Sequence, residues 1–157
     1  MRPIQHRPEI DGLRALAVIP VIFFHAGFPG FSGGFIGVDI FFVISGFLIT
    51  GILLNEHETK TYSIIAFYER RARRLLPALL AVLAITSLFA FVVMPPQELL
   101  LYGKSLFATL AISANTYFQL TLNYFSIHAE ELPLLHMWSL SVEEQFYVIY
   151  PLILSVI

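Results

Sequence analysis

The sequence predicts an all-α, polytopic transmembrane helix bundle of about five spans. Hydrophobic residues make up 57% of the 157-residue chain and charged residues only 13%, whereas a soluble domain carries about 25% charged residues. The mean hydropathy is +0.77, and the apolar residues are gathered into long runs separated by polar or proline-containing breaks. A run of about 20 such residues is long enough for a helix to cross the hydrocarbon core of a bilayer. These features predict an integral membrane protein.

Charge and cysteine content exclude several classes of function. The formal net charge is −2, which argues against nucleic acid as a partner because the phosphate backbone selects basic surfaces. The chain has no cysteine, so disulfides, thiolate catalysis and cysteine metal sites are excluded, and no metal site is predicted. Arg2 and Arg7 precede an apolar run without a small-residue cleavage site, so a cleaved signal peptide is not predicted.

The first three spans are apolar runs with clear ends. Span one covers residues 11–28 and is followed by a Pro-Gly breaker. Span two covers residues 35–54 and holds one acid near its start, Asp39, which a position close to the interface explains. Span three covers residues 75–94, carries no charge, and stops at a Pro-Pro pair. Three glycines in span two would allow a neighbouring helix to approach closely: Gly37, Gly46 and Gly51.

The last two spans are less regular. Span four, residues 99–122, contains Lys104 and several polar residues, which makes it the least typical of the set. Span five begins at Trp138 and is still apolar at Ile157. Because the number of spans is odd and the last apolar run does not end, we expect a bundle cut short, with further C-terminal helices missing.

The distribution of basic residues predicts a cytoplasmic N-terminus. With that orientation, eight of the nine basic residues lie on the cytoplasmic side, as the positive-inside rule requires. They are Arg2, Arg7, Arg14, Lys60, Arg70, Arg71, Arg73 and Arg74. Strict alternation would also place residues 123–137 in the cytoplasm, although that loop holds no Lys or Arg. Span four is therefore either re-entrant or wrongly assigned.

Arg14 and His25 lie within span one, where ionisable side chains are costly and often functional. They are eleven positions apart, so on a helix both share one face, about 16 Å apart along the axis. For Arg14 the alternative is a side chain that extends its guanidinium to the lipid headgroups. His25 is expected deep in the span and in register with Arg14, so we predict a functional role for it.

Four arginines precede span three within five positions: Arg70, Arg71, Arg73 and Arg74. On a helix, Arg70 shares a face with Arg73 and with Arg74. Such a cluster is usually a topology signal with some affinity for anionic lipids. Guanidinium forks also bind phosphate in a bidentate manner, so a cradle for a phosphorylated cosubstrate is the second interpretation. The residues alone leave both open.

Four polar residues of span five fall on one helical face: His136, Ser139, Glu143 and Tyr147. Glu143 and Glu144 point about 100° apart, so one acid can face the interior while the other lies near the interface. An inward acid could pair with Arg14, or orient His25 as a carboxylate orients a catalytic imidazole. A structural ion pair, or an interfacial helix start with a tryptophan anchor, explains the same residues.

Several segments stand out together: residues 9–18 (EIDGLRALAV), the pair Arg14-x10-His25, residues 37–50, residues 67–77 (FYERRARRLLP) and residues 134–147. In this order they resemble the motifs of the acyltransferase-3 family, bacterial membrane O-acyltransferases that acetylate lipopolysaccharide O-antigen, peptidoglycan and other glycans. The motifs are long and cover nearly the whole chain. The resemblance implies that residues 1–157 are the N-terminal half of a domain of about ten membrane helices, which in some members precedes an SGNH-hydrolase-like domain.

The resemblance also implies an activity. An acetyl or other acyl group would pass from acetyl-CoA, or another acyl-CoA, to a hydroxyl of a cell-envelope glycan, at the bacterial inner membrane. The CoA phosphates would bind near the four guanidiniums of Arg70, Arg71, Arg73 and Arg74. His25 would act as general base or acyl relay, Arg14 would position the donor or neutralise developing negative charge, and Glu143 would complete the catalytic set.

Two other classes of protein fit the same residues. A membrane transporter or channel would use the buried Arg, His and Glu side chains as an ion path. An inactive, truncated fragment would bind only membrane lipid and partner helices.

Overall fold

The computed structural model describes residues 8–121 and 132–155, which form six α-helices and no strand. The helices are α1 (Pro8–His25), α2 (Ile36–Glu58), α3 (Ile64–Val93), α4 (Pro96–Leu110), α5 (Ala114–Thr121) and α6 (Met137–Leu154). They belong to two compact units, a first unit (Met1–Tyr62) with α1 and α2 and a second unit (Ser63–Ile157) with α3 to α6. The all-helical prediction is confirmed. The predictions for Arg2, Arg7 and most of the 123–137 loop lie outside the described residues.

In the first unit, α1 and α2 cross at a point where side chains are absent. A Cβ atom on Gly34 would lie 2.2 Å from the carbonyl oxygen of Pro20, and one on Gly37 would lie 2.1 Å from that of Ala17. Both distances are far inside van der Waals contact, so only glycine fits at these two positions. Ala17 is 1% exposed, which places the crossing at the centre of the unit.

The glycine prediction is thus confirmed for one residue of span two. Gly37 makes the close approach, whereas a Cβ on Gly46 or Gly51 would meet nothing within 4 Å among the described atoms. Gly46 and Gly51 lie on α2 beyond the point where α1 crosses it, and for them a close approach stays a prediction.

α1 ends at His25, before the predicted end of span one at residue 28. Gly27 follows with a φ of 70°, a left-handed conformation that glycine adopts without the steric penalty of a Cβ. The amide of Phe28 donates to the carbonyl of Phe23 at 3.0 Å, and the amide of Gly27 donates to the carbonyl of Phe24 at 3.1 Å. This pair of hydrogen bonds is the Schellman motif that ends many helices. His25 is therefore the last residue of α1 and its side chain is exposed, so the expectation of a helix that continues past it to residue 28 is wrong.

α2 and α3 are the two described helices that are long and apolar enough to cross a membrane. α3 begins at Ile64, well before the predicted start of span three at residue 75, and is 30 residues long. Ser63 caps it, since its Oγ accepts a hydrogen bond from the amide of Ala66 at 3.3 Å. The arginine run consequently lies on α3 and not in a loop.

Much of the apolar surface of these helices is uncovered. Only 11% of the apolar window of α3 is buried, and Phe91, Val92 and Val93 are each about three-quarters exposed. Water solvates such a continuous apolar surface poorly. This surface therefore suits contact with lipid.

Span four is not one helix. α4 ends at Leu110 after 15 residues, so the prediction of a continuous helix over residues 99–122 is wrong. At 1.5 Å per residue α4 is about 22 Å long, short of the roughly 30 Å of a hydrocarbon core. Ile112 follows with a φ of 54°, a conformation that is unfavourable for a β-branched residue. The amide of Ser113 donates to the carbonyl of Ala108 at 2.8 Å, which satisfies a carbonyl at the end of α4.

Side chains of α6 hold this break in place. The side-chain Nε2 of Gln145 donates to the carbonyl oxygen of Ile112 at 2.8 Å. The side-chain amides of Gln145 and Asn115 also exchange two hydrogen bonds, each 3.0 Å long. The Oγ of Ser141 accepts a hydrogen bond from the backbone amide of Ala114 at 3.2 Å. Because few other polar groups compete in an apolar surrounding, these bonds fix where the chain turns from α4 into α5.

The core of the second unit forms where its four helices meet. Its buried members are Leu83, Ala90, Tyr102, Ala114, Phe118, Leu134 and Met137. The hydroxyl of Tyr102 is hydrogen-bonded to that of Ser87 at 2.8 Å, so the phenol enters the core without losing a partner. Lys104, the basic residue expected in span four, is exposed and lines an open groove of about 660 Å³ between α4 and α5.

The helix crossing predicts a large effect of one methyl group. Gly37→Ala forces a Cβ against the carbonyl oxygen of Ala17, so we expect it to lower the free energy of unfolding of the first unit by about 1–3 kcal/mol. Gly46→Ala is the matched control on the same helix, because its Cβ meets nothing within 4 Å and reports only the change in helix propensity. Thermal unfolding in nanodiscs measures both, and equal midpoints for the two variants would contradict the close approach.

The hydrogen bonds of Gln145 predict a second effect on stability. Gln145→Leu leaves the carbonyl of Ile112 and the amide of Asn115 without these partners, so we expect a loss of about 1–3 kcal/mol. Gln119→Leu is the control, since Gln119 is exposed on α5. Hydrogen exchange of the amides of α5, measured by mass spectrometry, should rise in the first variant only. Unchanged exchange would mean that Gln145 does not hold the break.

Candidate functional site

Arg14 is held at two points of the first unit. Its Nη1 lies 4.0 Å from Oδ1 of Asp11, one turn earlier on α1. Its guanidinium carbon lies 5.2 Å from the centre of the Phe41 ring, which belongs to α2. A cation over an aromatic face is attracted by the ring quadrupole. Arg14 therefore lies on the side of α1 that faces α2, with 30% of its side chain exposed.

His25 carries a hydrogen bond that decides its tautomer. Its Nδ1 lies 2.8 Å from the carbonyl oxygen of Val21, and a carbonyl oxygen only accepts, so the proton is on Nδ1. In the neutral imidazole, Nε2 is then the unprotonated nitrogen. The ring also meets Phe24 edge to face, with centroids 5.2 Å apart. The result is an exposed, oriented imidazole whose free nitrogen can take a proton.

Arg14 and His25 are on one helix but are not in contact. Both lie on α1, and eleven residues of an ideal helix correspond to about 16 Å along the axis. The two side chains can therefore act only on different parts of an elongated molecule.

The four arginines of α3 differ in how far their side chains are exposed. Arg70, Arg73 and Arg74 are exposed, whereas Arg71 is partly buried. At 100° per residue the exposed three lie within an arc of about 100°, so they share one face of the helix as predicted. The Nη2 of Arg73 lies 2.6 Å from Oε1 of Glu69, and both side chains are mostly exposed. Exposed pairs of this kind contribute about 0–1 kcal/mol, so an anionic ligand can compete for Arg73.

Arg71 is engaged by α6. Its Nη2 donates to Oε1 of Glu144 at 2.9 Å, and the two side chains are 21% and 12% exposed. Its guanidinium carbon lies 3.5 Å from the centre of the Tyr147 ring. The Tyr147 hydroxyl donates to Glu143 at 2.5 Å. Two side chains of α6, Glu144 and Tyr147, thus contact one guanidinium of α3, and Glu143 bonds to the second of them.

The structure places the predicted acids differently from each other. Glu144 forms the ion pair with α3, and Glu143 accepts the hydrogen bond of Tyr147. Among the interpretations that the sequence allowed for an acid of span five, pairing with Arg14 was the first. Within the second unit, the contact of Glu144 is instead the structural ion pair that was the other alternative. The described residues show no group of three His, Asp or Glu side chains that could hold a metal ion.

Sequence reasoning missed two contributors to this region. Gln145 lies beside both acids on α6 and holds the break after α4. Tyr68 lies one turn before Arg71 on α3, and its hydroxyl donates to the carbonyl of Val148 at 2.7 Å. For Gln145 the available signal was a polar residue within a predicted span, which in a membrane protein needs a partner.

Together these features describe an apolar helical protein with an oriented imidazole and a face of exposed guanidiniums. Residues 7–157 match the model of the acyltransferase-3 family, described as an acyltransferase domain. The chain therefore belongs to this family, and the predicted resemblance is confirmed.

Two relatives show the extent of the similarity. The O-acetyltransferase OatA of Staphylococcus aureus (strain NCTC 8325 / PS 47) is 40% identical over 152 residues, which cover 96% of this chain and 25% of the relative. The peptidoglycan O-acetyltransferase OatA of Listeria monocytogenes is 42% identical over 150 residues, which cover 95% of this chain and 24% of the relative. The chain thus spans about a quarter of the length of the curated relatives it matches. No solved structure matches the chain significantly.

Proposed function

We propose that this chain forms part of a membrane-bound O-acyltransferase that moves an acetyl or other acyl group from acyl-CoA to a hydroxyl of a cell-envelope glycan. The observation that carries the proposal is the hydrogen bond from His25 Nδ1 to the carbonyl of Val21. It leaves Nε2 as a proton acceptor, which is what the transfer of an acyl group to a hydroxyl requires. Family membership over residues 7–157 supports the same chemistry.

His25 is proposed as the general base. The hydroxyl oxygen of the acceptor attacks the carbonyl carbon of the thioester while Nε2 of His25 takes the hydroxyl proton. The tetrahedral intermediate then collapses, the carbon–sulfur bond breaks, and the leaving thiolate of CoA takes up the proton that Nε2 of His25 had accepted, which restores the neutral imidazole. Arg14, about 16 Å from His25 along α1, is proposed to position the donor at a distance from the reacting carbonyl group. Glu143 is proposed as the third member of the set, on the strength of the motif it shares with the family.

The exposed guanidiniums of α3 are proposed to bind the phosphates of acyl-CoA. Arg70, Arg73 and Arg74 share one exposed face, and guanidinium forks match the oxygen pairs of a phosphate. The exposed pair between Arg73 and Glu69 opens at little cost. Acetyl-CoA is the proposed donor because the relatives are named as O-acetyltransferases.

The proposed acceptor is peptidoglycan. The Listeria monocytogenes relative, 42% identical to this chain, is named as a peptidoglycan O-acetyltransferase. We further propose a multi-pass protein of the bacterial cell membrane with a cytoplasmic N-terminus. The positive-inside rule favours this orientation because the arginines at the start of α3 then lie on the cytoplasmic side, where CoA is available. Among the proposed spans α2 and α3 are the clearest, and the single span predicted over residues 99–122 is not one of them because α4 ends at Leu110.

The role of His25 predicts the loss of transfer without the loss of structure. His25→Gln keeps a polar side chain but no base, so we expect acetyl transfer to fall by about 10²–10⁴-fold. His57→Gln is the matched control, since His57 is exposed in the last turn of α2. The measurement is alkali-labile acetyl on peptidoglycan fragments after incubation with labelled acetyl-CoA in nanodiscs. Near-normal transfer by His25→Gln would return His25 to a structural role.

The guanidinium face predicts weaker donor binding when its charge is removed. Replacing Arg70, Arg73 and Arg74 by glutamine should raise the Kd for CoA about tenfold or more, because charge-assisted bonds to phosphate are lost. The same change should matter less for dephospho-CoA, which offers fewer phosphate charges. Lys104→Gln is the control at a basic residue on α4. Cysteine-accessibility mapping, which the cysteine-free chain allows, verifies that the topology is kept. If the affinity for CoA is unchanged and the topology is correct, these arginines serve only to orient the protein in the membrane.

A further inference from the structure

We propose that Arg71 and Glu144 form a positioning pair for the donor site, and that Arg71 is not itself a phosphate ligand. This inference rests on the proposed binding of acyl-CoA by the other three arginines. It separates one member of the arginine run from its neighbours. It also gives Glu144, which the proposed chemistry does not use, a definite role.

The geometry of Arg71 leaves it little capacity for a second anion. A guanidinium offers two edges for bidentate binding, one formed by Nε and Nη2 and the other by Nη1 and Nη2. Nη2, which is common to both edges, donates one of its two hydrogens to Glu144 at 2.9 Å. Nε is buried without a hydrogen-bond partner among the described residues. One face of the group is covered by the Tyr147 ring, 3.5 Å away.

The ring that covers Arg71 is itself fixed. Tyr147 is 3% exposed, and its hydroxyl donates to Glu143, one turn earlier on α6. Glu144 and Tyr147 are three residues apart and so lie on the same side of α6. A partly buried charge that lost this partner would be strongly disfavoured. The guanidinium is therefore held from an edge and from a face by one short stretch of α6.

The pair determines which way α3 turns its other arginines. Tyr68 lies one turn before Arg71 and binds the carbonyl of Val148 at 2.7 Å, so α3 meets α6 at two successive turns. These two contacts set the rotation of α3 about its own axis. Because the exposed three arginines lie on the remaining side of the helix, a rotation of α3 would redirect all of them together.

A charge exchange tests the pair. The unaltered chain, Arg71→Glu, Glu144→Arg and the double variant are compared in nanodiscs by thermal unfolding and by the Kd for CoA. Each single variant should unfold roughly 10 °C lower, because it leaves a like-charge pair where an ion pair was. Each should also bind CoA about tenfold more weakly. The double variant should recover most of both quantities, although position 71 is then acidic.

A second variant covers the case in which exchanged charges do not fit. Arg71→Met with Glu144→Met replaces the pair by apolar side chains of similar length, which partly buried sites often tolerate. It should keep its unfolding midpoint and most of its affinity for CoA. Arg73→Glu is the matched control on the same helix, because it reverses an exposed charge, and it should weaken CoA binding with little change in the midpoint.

The outcomes separate this proposal from the one on which it rests. If the folded double-methionine variant binds CoA as weakly as Arg73→Glu does, Arg71 is a ligand and the positioning role is wrong. If the double variant does not recover the unfolding midpoint that the two single charge variants lose, the pair does not couple α3 to α6. If the unaltered chain binds no CoA while the midpoints still recover, the donor site fails and the structural coupling stands.

Discussion

The ion pair between Arg71 and Glu144 joins the two helices of the second unit that carry most of its charge. An apolar chain cannot leave such groups unpartnered, because a partly buried charge without a partner is strongly destabilising. The neighbouring polar residues of α6 also have partners: Glu143 binds Tyr147, and Gln145 binds the backbone at Ile112. Of these three consecutive side chains, Glu144 binds α3 and Gln145 binds the break between α4 and α5, whereas Glu143 binds Tyr147 of α6 itself. α6 acts as the common support of α3, α4 and α5.

The helical class and several helix positions follow from the sequence, since long apolar runs have few other solutions. α2 lies close to its predicted bounds, and α3 contains all but the last residue of its predicted span. The break in span four could not be read from composition, because Ile112 is a residue type that rarely adopts a left-handed conformation. A Gly or Asn there would have marked the turn. The partner that stabilises it, Gln145, lies 33 positions away, beyond the reach of local patterns.

The candidate site was predictable to the level of residue type and spacing. The separation of Arg14 from His25 and the shared face of three arginines depend only on helical geometry, and both are present. Which arginine turns inward depends on α6, and so it needed the tertiary structure. The orientation of His25 likewise depends on where α1 ends, which Gly27 decides through a positive φ. Local geometry thus predicts candidates, and packing decides their roles.

The crossing of α1 and α2 has a consequence for how this part of the fold can vary among sequences. At Gly34 and Gly37 the hydrogen that takes the place of a Cβ points at a backbone carbonyl oxygen, a weak contact of the C–H···O type. The contact therefore requires the absence of a side chain at two positions. The groups that touch are a Cα–H and a backbone carbonyl, which nearly every residue has. The alignment of the helix that carries His25 therefore depends on these two backbone contacts. A single added carbon at either glycine would be felt by both helices at once.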